Sequence, residues 1–199
     1  MSSRRCACAA LVLAGLLIAV PAARAQWFWG LAYEPSISMG ELKDFSDNSF
    51  SWRGVGFDGR RWLRNELSVG FSVSWNVFYH EFSETHFTRP GQDIFGTQLR
   101  DVNTLPIFLN AHFYTGEAYH WRWFFGLNLG TIYADYRLDM GLYNYREDNW
   151  HLAVAPEVGL KFPYNIPLGY VALRWNYAFS AGETDEVSYL ALRLGIGLR

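Results

Sequence analysis

The sequence predicts an all-β fold: an eight-stranded antiparallel, up-and-down transmembrane β-barrel. Three observations lead to this fold class. Apolar and polar residues alternate over unusually long segments, the connections between these segments are short and long in turn, and aromatic residues recur at the segment ends. No apolar run after Val20 approaches the roughly 20 residues that a membrane helix needs, so the alternation carries the prediction.

The first 25 residues have the three parts of a secretory signal. Two arginines at 4–5 give a positive start, an apolar run covers 9–20, and Ala-Arg-Ala at 23–25 offers a small-x-small cleavage pattern. The apolar run is too short for a transmembrane anchor. We therefore expect a signal peptide at 1–25 and a barrel domain at 26–199.

Cleavage before Gln26 would remove both cysteines of the chain, Cys6 and Cys8. The mature protein would then have no disulfide and no thiol chemistry. The signal carries three arginines and no acid, so the formal charge changes from −2, for 17 basic and 19 acidic residues, to −5, for 14 basic and 19 acidic. An acidic chain argues against a nucleic-acid partner, which needs a basic surface.

The alternation is clearest in segment 66–80, where seven successive odd positions are apolar and the even positions are mostly small and polar. Such a face requires a strand of about fourteen residues, whereas globular strands have about 5–6 and a tilted membrane strand about 9–11. The small polar face suits a crowded, wet barrel interior. The apolar positions are Leu67, Val69, Phe71, Val73, Trp75, Val77 and Tyr79.

The same period of two recurs along the chain and gives an even number of strands, as a single-chain bacterial barrel requires. The eight predicted strands are 27–39, 50–60, 66–80, 104–113, 121–133, 152–162, 171–179 and 190–198, of which the first two are less regular. We expect a set of apolar side chains to contact lipid: Leu67, Val69, Phe71, Val73, Leu127, Leu129, Leu173, Leu192 and Leu194.

The connections predict the orientation of the barrel. With the N-terminus on the periplasmic side, the short links near 61–65, 114–120 and 163–168 would be periplasmic turns. The longer links, which hold most of the exposed acids, would be four extracellular loops near 40–49, 81–97, 138–149 and 180–187.

Aromatic residues at both strand ends predict two belts at the headgroup level of a membrane. The periplasmic belt would contain Trp27, Trp29, Trp62, Phe113, Trp121, Trp123, Phe162 and Tyr170. The outer belt would contain Tyr79, Tyr133, Trp150, Phe179 and Tyr189.

Three prolines, Pro35, Pro106 and Pro156, fall inside predicted strands. Every strand of a closed barrel has two neighbours, so each proline removes a hydrogen bond of the ladder. We expect bulges or locally wide pairings at these positions.

Several segments resemble the small outer-membrane barrel domains of the OmpA and OmpX type. They are Leu105-Pro-Ile-Phe-Leu-Asn110, Phe124-Phe-Gly-Leu-Asn-Leu-Gly130, Ala155-Pro-Glu-Val-Gly159 and Leu173-Arg-Trp-Asn-Tyr-Ala178. The resemblance covers the mature chain. It implies a monomeric barrel in the bacterial outer membrane, among its lipids and lipopolysaccharide, inserted by the barrel-assembly machinery. Such barrels usually end in an aromatic residue, whereas this chain ends Gly197-Leu198-Arg199.

The alternation places four charged residues inside the barrel near mid-height: Glu34, Glu157, Arg174 and Arg193. They lie on strands that become neighbours after closure. Charges removed from water must be paired, and an eight-stranded barrel has room only for its own side chains. We expect an ionic cluster that closes the lumen, resembling those of the OmpA type. The alternatives are a gate, in which Arg174 or Arg193 changes partner, and an error in register.

No catalytic residue, cofactor or metal site is predicted. His80 and His86, with Ser83 and Glu84, have the residue types of a hydrolase triad but no recognised spacing. Glu183, Asp185 and Glu186 lack the regular oxygen spacing of a calcium loop. By alternation His80, His112 and His151 face the lumen, and His86 and His120 lie in connections.

Three functions remain open. The first is a structural barrel, not an enzyme, that presents four extracellular loops to an unknown surface ligand. The second is a narrow channel, either for small hydrophobic compounds, as in OmpW, or for ions. The third is an enzyme that modifies lipid A. A filled ionic lumen favours the first function, and an apolar funnel beneath the loops favours the second.

Overall fold

The computed structural model describes residues 26–46, 50–89, 92–117, 120–140, 143–162, 168–182 and 184–198. The predicted signal peptide at 1–25 lies outside this part. No helix in the described part of the chain is long and apolar enough to cross a membrane. Its elements are β1 (Trp27–Tyr33), β2 (Ser36–Met39), α1 (Gly40–Ser46), β3 (Phe50–Ser51), β4 (Arg53–Arg64), β5 (Leu67–Arg89), β6 (Gln92–Tyr114), β7 (Arg122–Met140), β8 (Tyr143–Phe162), β9 (Leu168–Ala178) and β10 (Val187–Leu198).

The strands form a closed antiparallel ring in the order β1-β4-β5-β6-β7-β8-β9-β10, and β10 pairs back with β1. The first predicted strand is split at Glu34–Pro35 into β1 and β2, and both halves pair with β10. When β1 and β2 are counted as one strand, the ring has eight strands. The predicted eight-stranded up-and-down barrel is therefore confirmed.

The predicted loops at 81–97 and 138–149 are wrong, since strand structure continues to Arg89 in β5 and from Gln92 in β6, and likewise to Met140 in β7 and from Tyr143 in β8. Beyond the ring, these four strands form a sheet of residues 78–89, 92–102, 134–140 and 143–150, called the protruding sheet below. The side chains nearest the ring, among them Phe78, Val102 and Tyr136, are still buried beneath α1, whereas Asn144, Tyr145 and Arg146 are all exposed, so the period-two pattern fades toward the outer end of this sheet. We call this end of the barrel the hairpin end and the opposite end the turn end.

The predicted loop at 40–49 contains α1, which begins at Gly40 with a positive φ of 55°. This left-handed conformation suits glycine, which has no Cβ to clash. The helix lies over the lumen at the hairpin end and buries Leu42 completely. The Phe45 ring meets Tyr136 edge-on at 5.1 Å, and Arg100 Nη1 donates to the Phe45 carbonyl at 2.6 Å.

Pro106 and Pro156 leave the register unchanged, whereas across Pro35 the pairing with the β3–β4 side shifts by one residue, from Tyr33 opposite Val55 to Ser36 opposite Ser51. Pro35 lies in the gap between β1 and β2, and its carbonyl accepts a hydrogen bond from the Leu192 N–H at 2.9 Å. At Pro106 the β5–β6 ladder skips two pairs, and at Pro156 the β8–β9 ladder does the same, with an unchanged register on either side. At Pro106 and Pro156 the missing N–H interrupts the pairing with one neighbour only, as a local opening of the ladder without a bulge. At Pro35 the one-residue shift on the β3–β4 side is the expected bulge.

Side chains alternate between the lumen and the outside. Two apolar clusters fill the lumen: one at the hairpin end around Phe78, Val102 and Ile132, and one at the turn end around Phe28 and Phe124. The outward face carries an apolar band. All nine residues predicted to contact lipid point outward, with Leu127, Leu129, Leu173, Leu192 and Leu194 exposed and Leu67, Val69, Phe71 and Val73 half-buried.

Most of the predicted belt aromatics lie on this outward face, but three assignments are wrong. Tyr170 and Tyr189 are buried in the lumen, and Trp62 packs against Tyr114 inside the turn end with ring centroids 4.4 Å apart. Each of the three occupies an inward-pointing position of its own strand. Of the predicted belt residues, those that point outward at the turn end are Trp27, Trp29, Phe113, Trp121, Trp123 and Phe162, and those at the hairpin end are Tyr79, Tyr133, Trp150 and Phe179.

Candidate functional site

The middle of the lumen holds a cluster of six charged side chains, called the ionic cluster below. Each comes from an inward-pointing position or, for Glu34, from the break after β1. Asp58 and Arg60 lie on β4, Glu157 on β8, Arg174 on β9 and Arg193 on β10. Every member is at least 96% buried. The six members are Glu34, Asp58, Arg60, Glu157, Arg174 and Arg193.

Arg193 stands at the centre of the ionic cluster and pairs with all three acids. Its Nε donates to Oε1 of Glu34 at 2.7 Å, and its Nη2 donates to Oδ2 of Asp58 at 2.8 Å. The remaining terminal nitrogen, Nη1, donates to Oε1 of Glu157 at 3.2 Å. A planar guanidinium with donors on three sides is suited to this arrangement, whereas a lysine ammonium is not.

Arg174 holds Glu157 from the neighbouring strand. Its Nε and Nη2 both donate to Oε2 of Glu157, at 2.9 and 2.7 Å. The two residues are a direct cross-strand pair of β8 and β9. On the other side, Arg174 Nη1 donates to Ser72 Oγ at 3.4 Å. These contacts join the β8–β9 wall to β5 across the lumen.

Arg60 completes the ionic cluster toward the turn end. Its Nη2 lies 3.4 Å from Oδ1 of Asp58 and 3.8 Å from Oε1 of Glu157. Its guanidinium carbon lies 5.5–5.8 Å from the ring centroids of Phe28, Phe124 and Tyr170, the range of cation–π contacts. The Tyr170 hydroxyl donates to Asp58 at 2.6 Å. The aromatic rings thus cover the cationic side of the cluster.

The ionic cluster balances three carboxylates against three guanidinium groups, so its formal charge is zero. Removing one ion from water costs several kcal/mol, and only close pairing with further hydrogen bonds compensates for that cost. Ion pairs link all six side chains, and hydrogen bonds support the pairs of Arg174 and Arg193, whereas Arg60 Nη2 is held by charge alone. The arrangement can fix the strands relative to one another and occupy the lumen.

The four charged residues predicted from the sequence all meet in the ionic cluster, through the Glu157–Arg174 and Glu34–Arg193 pairs. Sequence reasoning missed Asp58 and Arg60. Both residues could have been found from the alternation along β4. Val55 and Phe57 point outward, so the even-numbered Asp58 and Arg60 point inward. That segment was the less regular one because Arg53, Gly59 and Arg61 leave only Val55 and Phe57 as apolar residues on its outward face.

The lumen is filled on both sides of the ionic cluster. Toward the hairpin end, Asn76 and Thr104 hydrogen-bond to the Tyr189 hydroxyl at 3.3 and 3.5 Å, below the apolar cluster and α1. Toward the turn end, the Lys161 ammonium lies 4.6 Å from the Trp62 ring centroid. A cavity beside Arg60, lined by Phe28, Arg60, Trp62, Tyr114, Phe124, Lys161, Leu168, Gly169 and Tyr170, measures only about 10 Å³, room for a single water.

The histidines whose side chains the structure describes lie apart from one another. His112 and His151 are fully buried in the lumen; His112 Nε2 lies 3.5 Å from Glu157, and His151 Nδ1 lies 2.9 Å from the Phe179 carbonyl. His80 is half-buried and His120 is exposed. His86 lies within β5 and not in a connection, which corrects its predicted place. The side chains of His86, Ser83 and Glu84 lie outside the described residues.

No group of three potential metal ligands is found among the described residues. Of the acidic stretch considered for calcium, Glu183 lies outside that part of the chain, and Glu186 accepts a hydrogen bond from the Tyr177 hydroxyl at 2.5 Å.

A second ionic group lies on the protruding sheet, beyond the rings of Tyr133 and Trp150. The Asp135 carboxylate accepts hydrogen bonds from Arg146 Nε at 2.8 Å and from Arg137 Nη2 at 2.8 Å. Burial acts to raise the pKa of Asp135, but the hydrogen bonds and charges of Arg146 and Arg137 outweigh it and hold this pKa below its ordinary value of 3.8. Asp135 therefore stays ionised at neutral pH and ties β7 to β8.

The fold is similar to that of known small barrels. The crystal structure of Neisserial surface protein A matches with a TM-score of 0.58 and 10% sequence identity, covering 88% of this chain and 98% of that one. Ail, the attachment invasion locus protein of Yersinia pestis, matches with a TM-score of 0.53 and 12% identity, covering 88% and 99%. Its complex with the heparin analogue sucrose octasulfate gives a TM-score of 0.50.

No family model matches the sequence, and no curated protein matches it. At 10–12% identity the structural likeness shows the fold. The chain is thus an eight-stranded barrel of the kind that small outer-membrane proteins of the OmpA and OmpX type form.

Proposed function

We propose that this chain is a bacterial outer-membrane protein, not an enzyme, whose closed barrel anchors an interaction surface outside the cell. The observation that carries the proposal is the ionic cluster. Three buried acids and three buried arginines bridge the lumen, with Arg193 in contact with every acid. A barrel whose interior is filled by such a cluster is rigid and closed, and these properties suit an anchor.

The outward face supports a membrane location. Its apolar band would contact the lipid chains, and the aromatic residues at the two ends would lie at the headgroups. Outer-membrane lipid and lipopolysaccharide would surround the barrel, which the assembly machinery would insert. The segment 1–25 would export the chain through the inner membrane, with cleavage before Gln26. With the N-terminus on the periplasmic side, the hairpin end faces the outside of the cell and the turn end faces the periplasm.

The protruding sheet supports the interaction role. The pairing of β4 with β5 ends at Arg53 and Val77, and that of β9 with β8 ends at Ala178 and Ala153. Within the described chain, no strand pairs with β5 from Phe78 to Arg89 on its outer side. Such an edge offers a row of backbone donors and acceptors to which an extended segment of another protein can add as a strand.

The opposite edge of the protruding sheet is guarded. On β8, Arg146 is held by Asp135, and Asn149 Nδ2 donates to the Ala181 carbonyl at 2.8 Å, which ties the next connection to the strand. Charged side chains and covering loops are the common means of blocking strand addition. We therefore assign the unknown surface ligand to the β5 edge and propose an extended polypeptide.

A polyanion like the heparin analogue bound to Ail is less suited to this surface, because acids outnumber bases among the described outward side chains of the protruding sheet. Asp101, Asp139 and Asp148 accompany the Asp135 group there. An acidic sheet repels sulfate groups and attracts basic segments.

Two matched epitope insertions test the proposed location and orientation. One is placed between β7 and β8 at 141–142, the other between β6 and β7 at 118–119. Antibody should label the first on intact cells and the second only after the outer membrane is permeabilised, with both proteins in the outer-membrane fraction. Labelling of the turn epitope on intact cells, or recovery in the cytoplasmic membrane, would refute the proposal.

A narrow channel for small hydrophobic compounds is the second candidate, because the lumen under α1 is apolar. Phe78, Val102 and Ile132 line it, and Leu42 of α1 fills it. If this is a path, Leu42→Ala should increase the uptake of a small apolar dye by vesicles that contain the barrel. Equal uptake by wild-type, variant and protein-free vesicles would exclude this candidate.

A further inference from the structure

Arg61 is a charged residue on the outward, lipid-facing surface of the barrel. It lies on β4 between inward-pointing Arg60 and Trp62, and its cross-strand partners are Trp27 on β1 and Val69 on β5. Since Trp27 begins β1, this position is at the rim of the turn end. The neighbouring outward positions of β1 and β5 are apolar: Trp27, Trp29, Leu67, Val69 and Phe71.

The guanidinium of Arg61 has a hydrogen-bond donor without an acceptor. Its Nε is shielded from solvent and has no hydrogen-bond partner, and no acid of the described chain lies within ion-pair distance. In contrast, the lumen residues Arg174 and Arg193 are each bound by at least two acids. A half-buried arginine without a partner among apolar side chains is costly, so an external anion is the natural complement.

Two tryptophans frame this position. The Trp27 and Trp29 rings stack with centroids 5.3 Å apart and an interplanar angle of 7°. Trp27 is 45% exposed and Trp29 is 43% exposed. Tryptophan on the outside of a barrel marks the headgroup level. At that depth, the anion within reach of Arg61 is the phosphate of a lipid, and guanidinium groups bind phosphate through two parallel hydrogen bonds.

We propose that Arg61, framed by Trp27 and Trp29, binds the phosphate of an anionic phospholipid in the periplasmic leaflet. The inference rests on the proposed membrane location. A zwitterionic lipid carries its own ammonium close to the phosphate, whereas phosphatidylglycerol leaves a full negative charge for Arg61. The acyl chains would lie along the apolar neighbours of Arg61, chiefly Trp29 and Val69, and this contact distinguishes a lipid from free phosphate.

Native mass spectrometry of the folded barrel in neutral detergent tests the inference, with equal amounts of phosphatidylglycerol and phosphatidylcholine added. One basic residue near a charged lipid surface contributes about 1 kcal/mol, so we expect a preference of about fivefold for phosphatidylglycerol. Arg61→Gln should abolish it, and Arg61→Lys should retain part of it. Arg64→Gln, at an exposed position three residues along the same strand, is the matched control and should bind like the wild type.

Three results would overturn the inference: equal preference in wild type and Arg61→Gln, equal loss in Arg64→Gln, or displacement of the lipid by excess inorganic phosphate. The heat-dependent gel mobility of each variant shows that it is folded. A folded barrel without lipid preference refutes only this inference, since the epitope experiment tests the membrane location separately.

Discussion

Removal of Glu157 should destabilise the barrel more than removal of Glu157 together with Arg174. Glu157 accepts both hydrogen bonds from Arg174 and a further one from Arg193, and it lies 3.8 Å from Arg60. Glu157→Ala leaves three guanidinium groups facing two carboxylates in a site without bulk water. Losing one partner of a buried ion pair costs about 3–5 kcal/mol, and the full burial of the cluster leaves no reason to reduce that figure.

Adding Arg174→Ala restores the balance, because Glu34 and Asp58 then face Arg60 and Arg193 alone. The double variant should recover part of the loss, with a coupling energy in the range of about 0.5–3 kcal/mol for contacting residues. Urea unfolding in lipid vesicles, followed by tryptophan fluorescence and gel mobility, measures these free energies. Glu66→Ala removes an exposed carboxylate next to β4 and should change stability by less than about 0.5 kcal/mol. A double variant no more stable than Glu157→Ala would refute the balance argument.

Three further predictions concern the wall, the protruding sheet and export. Leu127→Arg should destabilise the barrel by about 2–4 kcal/mol in the same refolding assay, as a charge at a bilayer midplane does, and a neutral result would mean that Leu127 does not contact lipid. Because the pKa of Asp135 is lowered on folding, its contribution is complete above the ordinary carboxyl pKa and is lost as the pH falls below about 4. Proteolysis of the β7–β8 hairpin should therefore rise below that pH in the wild type, and a profile shared with Asp135→Asn would contradict the prediction. N-terminal sequencing of the exported protein should begin at Gln26, and an intact Met1 in the membrane fraction would disprove the cleavage.

The period of two was enough to predict the barrel, because one-sided burial repeats over every membrane strand. It also predicted that Glu157, Arg174 and Arg193 point inward, and closure of the ring brings their strands together. The pattern could not predict how far β5 to β8 continue, because alternating burial is lost toward their outer ends, where Asn144, Tyr145 and Arg146 are all exposed. Nor could it predict α1, a seven-residue helix too short to be stable alone, whose Leu42 is buried on the apolar lumen.

The errors in the aromatic belts have a related origin. Tyr170 and Tyr189 lie near strand ends, as belt residues do, but their parity points into the lumen. There Tyr170 donates to Asp58, and Tyr189 accepts hydrogen bonds from Asn76 and Thr104. Whether a residue points outward depends on its odd or even position in the strand. That position therefore predicts belt residues better than their distance from the strand end does. The same rule would have placed Asp58 and Arg60 in the ionic cluster.

The conductance of the refolded wild-type barrel in a planar lipid bilayer tests the central claim most directly. The filled lumen and the neutral ionic cluster predict a current at the level of the protein-free bilayer, with discrete openings appearing only in Glu157→Ala, where the cluster is broken. Steady conductance steps in the wild type, unchanged by Glu157→Ala, would contradict a sealed anchor and favour a channel.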